Sequence, residues 1–229
     1  MMSACVENLT VSKPYLFDPS LYLNALKLCT YQTMEKQFVL IHGNSVTNGF
    51  ISNLHLNNSL VNLYAKHGDV KHARKLFDRM PERDVVSWTA MISGYSGCGY
   101  HRSAFLLFKQ MRREPIRAND FTYGSVLMSC KDLWCLKEGT QIHGCVEKGR
   151  FAGNLVVRSA LLSLYPKFGK MEDACLLFDS VKERDLVSWN IMIDGYTADT
   201  SFGLFQLMLA EVNYTVLRPR LASGDQMLH

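Results

Sequence analysis

Several features that define common protein classes are missing from this chain of 229 residues. It has no run of about eighteen apolar residues, so no membrane-spanning helix is predicted. Its seven cysteines are odd in number and include no Cys-x-x-Cys pair, and there is no secretory signal. We therefore expect reduced thiols in an intracellular compartment rather than a disulfide framework. No stretch alternates polar and apolar residues as a half-buried strand does, so no sheet is predicted.

Catalytic motifs are missing as well. Zinc deaminases need a His-x-Glu and a later Pro-Cys-x-x-Cys, and neither occurs. There is no glycine-rich phosphate loop and no nucleophile elbow. His42 and His143 have no cysteine or carboxylate that recurs with them at ligand spacing, so a structural role is favoured over a metal site. We predict no enzyme activity, no metal, no cofactor and no small-molecule substrate.

A strong excess of one charge is also lacking. The formal net charge is +4, the charged fraction is 20% and the hydrophobic fraction is 48%. This composition predicts a folded chain with a buried core. It permits a polyanionic partner without requiring one.

The chain does contain a long internal repeat. Segment 84–95 (DVVSWTAMISGY) returns as segment 185–196 (DLVSWNIMIDGY), 101 residues later, and each copy follows a Glu-Arg pair. The pairs 41–43 with 142–144 and 76–78 with 177–179 keep the same offset. A repeat of this kind indicates a supersecondary unit that is stacked along the chain.

Each 101-residue unit divides into pairs of amphipathic helices. Within 54–84, leucines recur at helical spacing, Gly68 interrupts them, and a second apolar stripe begins at Val70. Trp88 and Trp189 lie in such stripes, which predicts that they are core residues rather than base-stacking ones. Because one helix pair cannot bury its stripes alone, we expect an all-α solenoid with a long concave face.

The unit lengths and motifs resemble those of the pentatricopeptide repeat proteins of land plants, in the subclass that mixes L, S and P repeats. The resemblance rests on 141–144 (QIHG) for L, 73–84 (ARKLFDRMPERD) for S and 86–92 (VSWTAMI) for P. Tetratricopeptide repeats, the nearest rival, keep a uniform period of about 34 residues, which this chain does not. The order of repeats across 19–211 is L 19–53, S 54–84, P 85–119, L 120–154, S 155–185 and a partial P 186–211.

The resemblance implies a right-handed superhelix of antiparallel helix–turn–helix repeats that binds single-stranded RNA at about one base per repeat. In the family, the fifth and last residues of a repeat read the base, and the second residue sandwiches it. Carried over, the reading residues are Asn58 with Asp84, Thr89 with Asn119, Ser159 with Asp185, and Asn190, whose partner cannot be placed. The sandwiching residues are His55, Val86, Val156 and Val187.

By the family's pairing rules, the three complete pairs resemble readers of uridine, adenosine and guanosine. The resemblance therefore implies that the chain, running parallel to the RNA, reads the RNA sequence 5′-U-A-(any)-G-3′. Leu23 and Gly124, the fifth residues of the L repeats, have no hydrogen-bonding side chain and read no base. Two alternatives stay open. Asp84 and Asp185 precede apolar helical runs, so an N-cap role competes or coexists with base reading. The second alternative is that the fifth residues Asn58, Thr89 and Ser159 are ordinary solvated helix residues with no role in base reading.

The family also implies a mitochondrial or plastid location and a role in guiding RNA editing or processing without catalysing it, with editing or processing factors as further partners. The N-terminus shows no clear transit peptide. The alternative functions are a helical-repeat scaffold that binds protein, or a truncated repeat protein without function.

Three departures from the pattern give further expectations. Pro166 takes the place of Ala65 and predicts an early end or kink in its helix. The repeat offset falls from 101 to 97 after Tyr196, which predicts the loss of one turn near 197–200. The leader 1–18 and the divergent tail 212–229 carry no helical stripe, so we expect both to be poorly ordered and the C-terminus to be truncated before any deaminase-like domain.

Overall fold

The computed structural model describes residues 19–31, 35–149, 151, 153–180, 184–196 and 208–209. The expectations for the leader, the tail and the lost turn lie outside these residues. The described residues form helices and no strand. They fall into two compact units, residues 1–133 and 134–229.

In the first unit, the helices follow one another in pairs joined by tight turns. They are α1 (Pro19–Tyr31), α2 (Glu35–Thr47), α3 (Leu54–Lys66), α4 (Val70–Arg79), α5 (Val85–Gly97), α6 (His101–Met111) and α7 (Asp120–Asp132), with a short 3₁₀ turn (Phe50–Ser52) before α3. Helix α3 packs on both α4 and α5, and α5 packs on both α6 and α7. Each pair therefore buries its apolar face against its own partner and against the next pair, as in a solenoid.

The second unit repeats this arrangement. Its helices are α8 (Leu136–Glu147), α9 (Leu155–Lys167), α10 (Met171–Asp179) and α11 (Leu186–Gly195). Helix α9 contacts α8, α10 and α11. The predicted all-α stack of helix hairpins is confirmed within each unit.

The two repeated tryptophans occupy equivalent core positions. Trp88 is 2% exposed and Trp189 is 3% exposed. The ring of Trp88 meets that of Phe77 edge to face at 5.1 Å, and Trp189 meets Phe178 in the same way at 4.8 Å. Edge-to-face contact is a preferred geometry for aromatic pairs, so the prediction of a core role is confirmed for both residues.

The arginine of each repeated Glu-Arg pair closes the end of the preceding helix. Arg83 Nε donates a hydrogen bond to the carbonyl oxygen of Phe77 at 2.8 Å, and the guanidinium lies 4.8 Å from the centre of the Phe77 ring. Arg184 makes the same two contacts with Phe178, at 3.4 Å and 4.6 Å. The segment 83–88 thus ends one helix pair and starts the next, which accounts for its recurrence.

The expectation that Pro166 ends its helix early was wrong. Helix α9 continues through Pro166 to Lys167 and has 13 residues, the same length as α3. A proline has a helical φ, and its cost lies in the missing N–H and in crowding against the carbonyl four residues earlier. Pro166 is the second-to-last residue of α9, so the missing N–H deprives only the carbonyl of Leu162 of its backbone donor, and the turns before it keep their hydrogen bonds.

Gly94 marks a close approach of α5 to α3, and it gives a stability prediction. A Cβ atom added at Gly94 would lie 2.5 Å from the Cβ of Ala65, whereas one added at Gly97 would meet nothing within 4 Å. We expect Gly94→Ala to lower the free energy of unfolding by about 1–3 kcal/mol through overpacking. The control Gly97→Ala should be neutral, or stabilising by up to about 1 kcal/mol. Urea unfolding followed by circular dichroism measures both.

The double variant Gly94→Ala/Ala65→Gly separates steric conflict from other causes. Because it moves the methyl group from one helix to the other, it should recover part of the lost stability. Equal stability of the two single alanine variants would contradict the close-approach explanation.

Candidate nucleic-acid interface

The last residue of each predicted repeat caps the helix that begins the next one. Asp84 Oδ1 accepts a hydrogen bond from the backbone N–H of Ser87 at 2.9 Å, and Asp185 Oδ1 accepts one from Ser188 at the same distance. Such caps satisfy N–H groups that have no partner within the helix. The capping residues in chain order are Asn53, Asp84, Asn119, Asn154 and Asp185.

In the first S repeat, a third side chain joins the two predicted reading residues. Asn58 Nδ2 donates to Asp84 Oδ1 at 3.1 Å, and Ser87 Oγ donates to Asn58 Oδ1 at 2.6 Å. Asp84 is partly exposed, but Asn58 is only 6% exposed. The structure therefore brings the predicted pair together and encloses Asn58, which leaves Asp84 as the more accessible member.

The first P repeat has the same three-residue arrangement. Thr89 Oγ1 lies 3.2 Å from Asn119 Oδ1 and 2.7 Å from Thr122 Oγ1. Thr122 also donates to Asn119 Oδ1 through its backbone N–H at 2.9 Å and through its hydroxyl at 2.8 Å. Thr122 is fully buried, whereas Thr89 and Asn119 are partly exposed. Asn119 therefore has its side-chain oxygen engaged, and its amide nitrogen takes no part in these bonds.

The second S repeat differs. Ser159 Oγ donates to the carbonyl oxygen of Leu155 at 2.8 Å, and within the described part of the second unit no hydrogen bond joins Ser159 to Asp185. Burial opposes ionisation of Asp185, but hydrogen bonding to Ser188 and the positive charge of Arg158 outweigh it and lower the pKa of this carboxyl. Asp185 is therefore held as an anion beside a buried arginine.

The remaining predicted residues lie on exposed helix surface. Val86, Val156 and Val187 are 50%, 39% and 53% exposed. Each lies in the first turn of a helix, close to a capping residue, and a large part of its side chain is available to a ligand. The other two exposed residues in this set are His55 on α3 and Asn190 on α11.

Sequence reasoning missed four residues of these clusters. Ser87, Thr122 and Ser188 lie three positions after a capping residue, and this is the spacing of a capping box. That spacing could have identified these three residues from the sequence. Arg158 gave no signal, because the matching position of the first unit is Asn57.

The two repeated histidines have structural contacts. His42 Nδ1 lies 2.8 Å from the hydroxyl oxygen of Tyr64, and His143 Nδ1 lies 2.6 Å from that of Tyr165. Each histidine thereby ties the second helix of one pair to the first helix of the next. Across the described ranges, no three His, Cys, Asp or Glu side chains are grouped to hold a metal ion. None of the described helices has the length and apolarity needed to cross a membrane.

Protonation of Asp84 should weaken the first unit in acid. Burial opposes ionisation of this carboxyl, but hydrogen bonds from Ser87 and Asn58 outweigh it and lower its pKa. Because the pKa of Asp84 is lowered in the folded chain, the ionised carboxyl stabilises the fold fully at neutral pH. This stabilisation is lost as the pH falls below 3.8, the ordinary pKa of an aspartate. Asp84→Asn keeps a capping oxygen but cannot titrate. Its free energy of unfolding should therefore change less between about pH 5 and pH 2 than that of the native chain, as measured by urea unfolding.

The control for this measurement is Glu82→Gln. Glu82 is exposed and has no hydrogen bond or ion pair with another described residue. This variant should keep the acid dependence of the native chain. Identical pH profiles for Asp84→Asn and the native chain would contradict a capping role for the charged form.

Comparison with known proteins relates the chain to one family. The PPR repeat family matches residues 83–132, and the PPR repeat matches residues 58–85 and 187–200. A pentatricopeptide repeat-containing protein of Arabidopsis thaliana is 72% identical over 207 residues, which cover 89% of this chain and 37% of that protein. Another from the same plant, named mitochondrial, is 38% identical over 200 residues, with 85% and 31% covered. A third, named chloroplastic, is 39% identical over 190 residues, with 81% and 24% covered.

The chain thus spans between 24% and 37% of the length of these relatives. Among solved structures, it resembles the pentatricopeptide repeat protein PPR10 from maize, with a TM-score of 0.56 at 16% identity over 89% of this chain and 30% of that one. It also resembles PPR10 in complex with an 18-nt RNA element, with a TM-score of 0.67 at 14% identity over 91% and 34%. Identities this low establish the fold alone. The repeat matches and the similar plant relatives together show that the chain belongs to the pentatricopeptide repeat family.

Proposed function

We propose that this chain binds single-stranded RNA and reads it at about one base per repeat. The observation that carries the proposal is the recurring cluster in the first unit. In two successive repeats, the fifth residue, the last residue and a buried hydroxyl residue form the same hydrogen-bonded group. The main contact to the base edge is then the last residue of the repeat.

Capping decides which polar atom is available to a base. The bonds that fix Asp84 fall on Oδ1, so Oδ2 keeps the capacity to accept another hydrogen bond. A carboxylate only accepts, which suits uracil and guanine, because each has an N–H in the centre of its Watson–Crick edge. Asn119 Oδ1 is occupied in the same way, so the Nδ2 hydrogens remain. These donors suit the ring nitrogen acceptor of adenine.

The fifth residue of the repeat then distinguishes between uracil and guanine, the two bases that an aspartate suits. Asn58 is larger than Ser159, and it fills the space beside Asp84 with an amide. A larger residue here leaves room for a pyrimidine, and a smaller one leaves room for a purine. The reading is therefore uridine for Asn58/Asp84, adenosine for Thr89/Asn119 and guanosine for Ser159/Asp185.

The exposed valines supply the second kind of contact. Val86, Val156 and Val187 each present an apolar, conformationally stiff side chain beside a reading position. In this proposal they pack against the faces of unstacked bases, and His55 does the same in the first S repeat. The excess of positive charge, +4, favours the phosphate backbone.

The proposed biological role is to guide the editing or processing of an organellar transcript, with the chemistry left to partner factors. Relatives named mitochondrial and chloroplastic support an organellar role. The chain itself carries no cofactor in this proposal. Three reading pairs, each worth about 1–3 kcal/mol if they resemble bidentate contacts to DNA bases, give modest selectivity.

A gel-shift series tests the proposal. An RNA containing UANG should bind more tightly than RNAs changed at U, A or G, and changes at N should have no effect. Each wrong base should weaken binding by about 1–3 kcal/mol, or roughly 5- to 150-fold. Equal binding of all sequences, or binding of none, would contradict base reading and favour a protein-binding scaffold.

A further inference from the structure

A cleft in the first unit lies on α2, α3 and α4, outside the reading clusters. It encloses about 130 Å³. One water molecule needs roughly 10–15 Å³ of such space, so a group of several heavy atoms fits. Four basic side chains line it, and no acidic side chain is among the described lining residues: His42, His72, Lys75 and Arg79, above an apolar floor of Leu76 and Met80.

The positive charges of Lys75 and Arg79, which line this cleft, have no carboxylate partner among the described residues. Lys71, Lys75 and Arg79 follow one another at intervals of four on α4, a spacing at which like charges repel. The nearby carboxylates are already engaged, since Asp78 pairs with Arg74 at 2.8 Å and Asp69 pairs with His72. Neither Lys75 nor Arg79 forms a hydrogen bond or an ion pair with another described residue. An anion in the cleft would relieve the repulsion.

His42 adds a donor to the same cleft. Its Nδ1 lies 2.8 Å from the Tyr64 hydroxyl. When that hydroxyl donates to Nδ1, the neutral ring carries its hydrogen on Nε2. Burial, together with the charges of His72 and Arg79, lowers the pKa of His42. Part of this lowering comes from a positive local potential, which a bound anion would offset.

The second unit provides an internal comparison. The positions 101 residues after His72, Lys75 and Arg79 hold Asp173, Leu176 and Ser180. Helix α10 contains three acidic residues and neither lysine nor arginine, whereas α4 contains four lysines and arginines and one aspartate. The basic cluster is therefore not needed for packing a helix pair of this kind.

We propose that the cleft of α2, α3 and α4 is a binding site for a phosphoryl oxyanion, contacted by Lys75, Arg79 and His42. Guanidinium and ammonium groups form strong charge-assisted hydrogen bonds with phosphate oxygens. The site is distinct from base reading. Asn57 lines the cleft and Asn58 belongs to the reading cluster, and successive side chains on a helix diverge by about 100°. The phosphoryl group comes either from free phosphate or from the backbone of a nucleic-acid strand.

The test is a titration of the whole chain with inorganic phosphate at constant ionic strength. The ring signals of His42 and His72 in ¹H–¹³C spectra should shift and saturate. Lys75→Leu/Arg79→Ser installs the residues found at the matching positions of α10, and it should weaken binding at least about tenfold. Arg102→Ser removes an exposed positive charge from α6, away from the cleft, and should leave binding unchanged.

A second arm identifies the source of the phosphoryl group. A UANG oligonucleotide without terminal phosphates is added to the phosphate-saturated chain. Displacement of phosphate assigns the site to the RNA backbone, and simultaneous binding assigns it to free phosphate; either result supports the site. The proposal would be overturned if the ring signals of His42 and His72 in the native chain did not saturate with phosphate. It would also be overturned if Arg102→Ser weakened phosphate binding as much as Lys75→Leu/Arg79→Ser does. Asp84→Asn should not affect phosphate binding, so failure of base reading and failure of this site are separable.

Discussion

Replacing Trp88 by alanine should lower the free energy of unfolding of the first unit by about 3–5 kcal/mol, the range for truncating a large buried aromatic side chain. Trp88 is 2% exposed, and it packs edge to face on Phe77. Alanine would remove that contact and leave a cavity where α4 and α5 meet. Because small domains are stable by only about 5–15 kcal/mol, this loss is a large part of the total. Urea unfolding followed by far-ultraviolet circular dichroism measures it.

Two companion variants show whether the loss comes from packing. Trp88 Nε1 is buried without a hydrogen-bond partner among the described residues, so Trp88→Phe removes no hydrogen bond and should cost much less than alanine. Leu106→Ala truncates a residue that is 56% exposed on α6, and it should change stability by no more than about 0.5 kcal/mol. Similar losses for Trp88→Ala and Leu106→Ala would contradict a core role for Trp88.

The same aromatic contact explains why so much of the fold was predictable from sequence. A helix pair that must bury one stripe on its own partner and another on the next pair repeats the same residue types at the same positions. The stripe containing Trp88 and its copy at Trp189 therefore marked the core directly. The polar residues Asp84 and Asp185 marked helix starts, because a cap has to precede each first helix.

The site was less predictable because its contacts join distant positions. The repeat register placed Asn58 opposite Asp84, and the structure brings the two together. The enclosure of Asn58 involves Ser87, which belongs to the next repeat. Ser87 Oγ accepts a hydrogen bond from the backbone N–H of Asp84 and donates one to Asn58 Oδ1. Arg158 acts on Asp185 from the opposite end of the same repeat, and no sequence pattern relates the two. Such pairings follow from how helices pack, which periodicity alone does not determine.

Exchanging Asn119 for aspartate should change the base preferred by the first P repeat from adenine to guanine. Asn119 Oδ1 accepts from Thr122 and is close to Thr89, and an aspartate oxygen can take over both roles. The substitution replaces the free Nδ2 donors with a second carboxylate oxygen, which only accepts. The variant pair then has a hydroxyl and a carboxylate, as Ser159/Asp185 does. Adenine loses the amide donor that faces its ring nitrogen, and guanine gains a carboxylate acceptor for the N–H at the centre of its Watson–Crick edge.

The measurement is the ratio of affinities for RNAs containing UANG and UGNG. Each favourable pairing is worth about 1–3 kcal/mol, so losing one and gaining the other should change the ratio by about 2–6 kcal/mol, or at least roughly thirtyfold. Asn154→Asp is the matched control. Asn154 caps α9 as Asn119 caps α7, but the fifth residue of its repeat is Gly124, so the substitution should leave base preference unchanged. Aspartate and asparagine cap helices about equally well, so a loss of fold does not account for the switch. If Asn119→Asp weakened both RNAs equally, or if Asn154→Asp changed the ratio as much, the last residue of the repeat would not be reading the base.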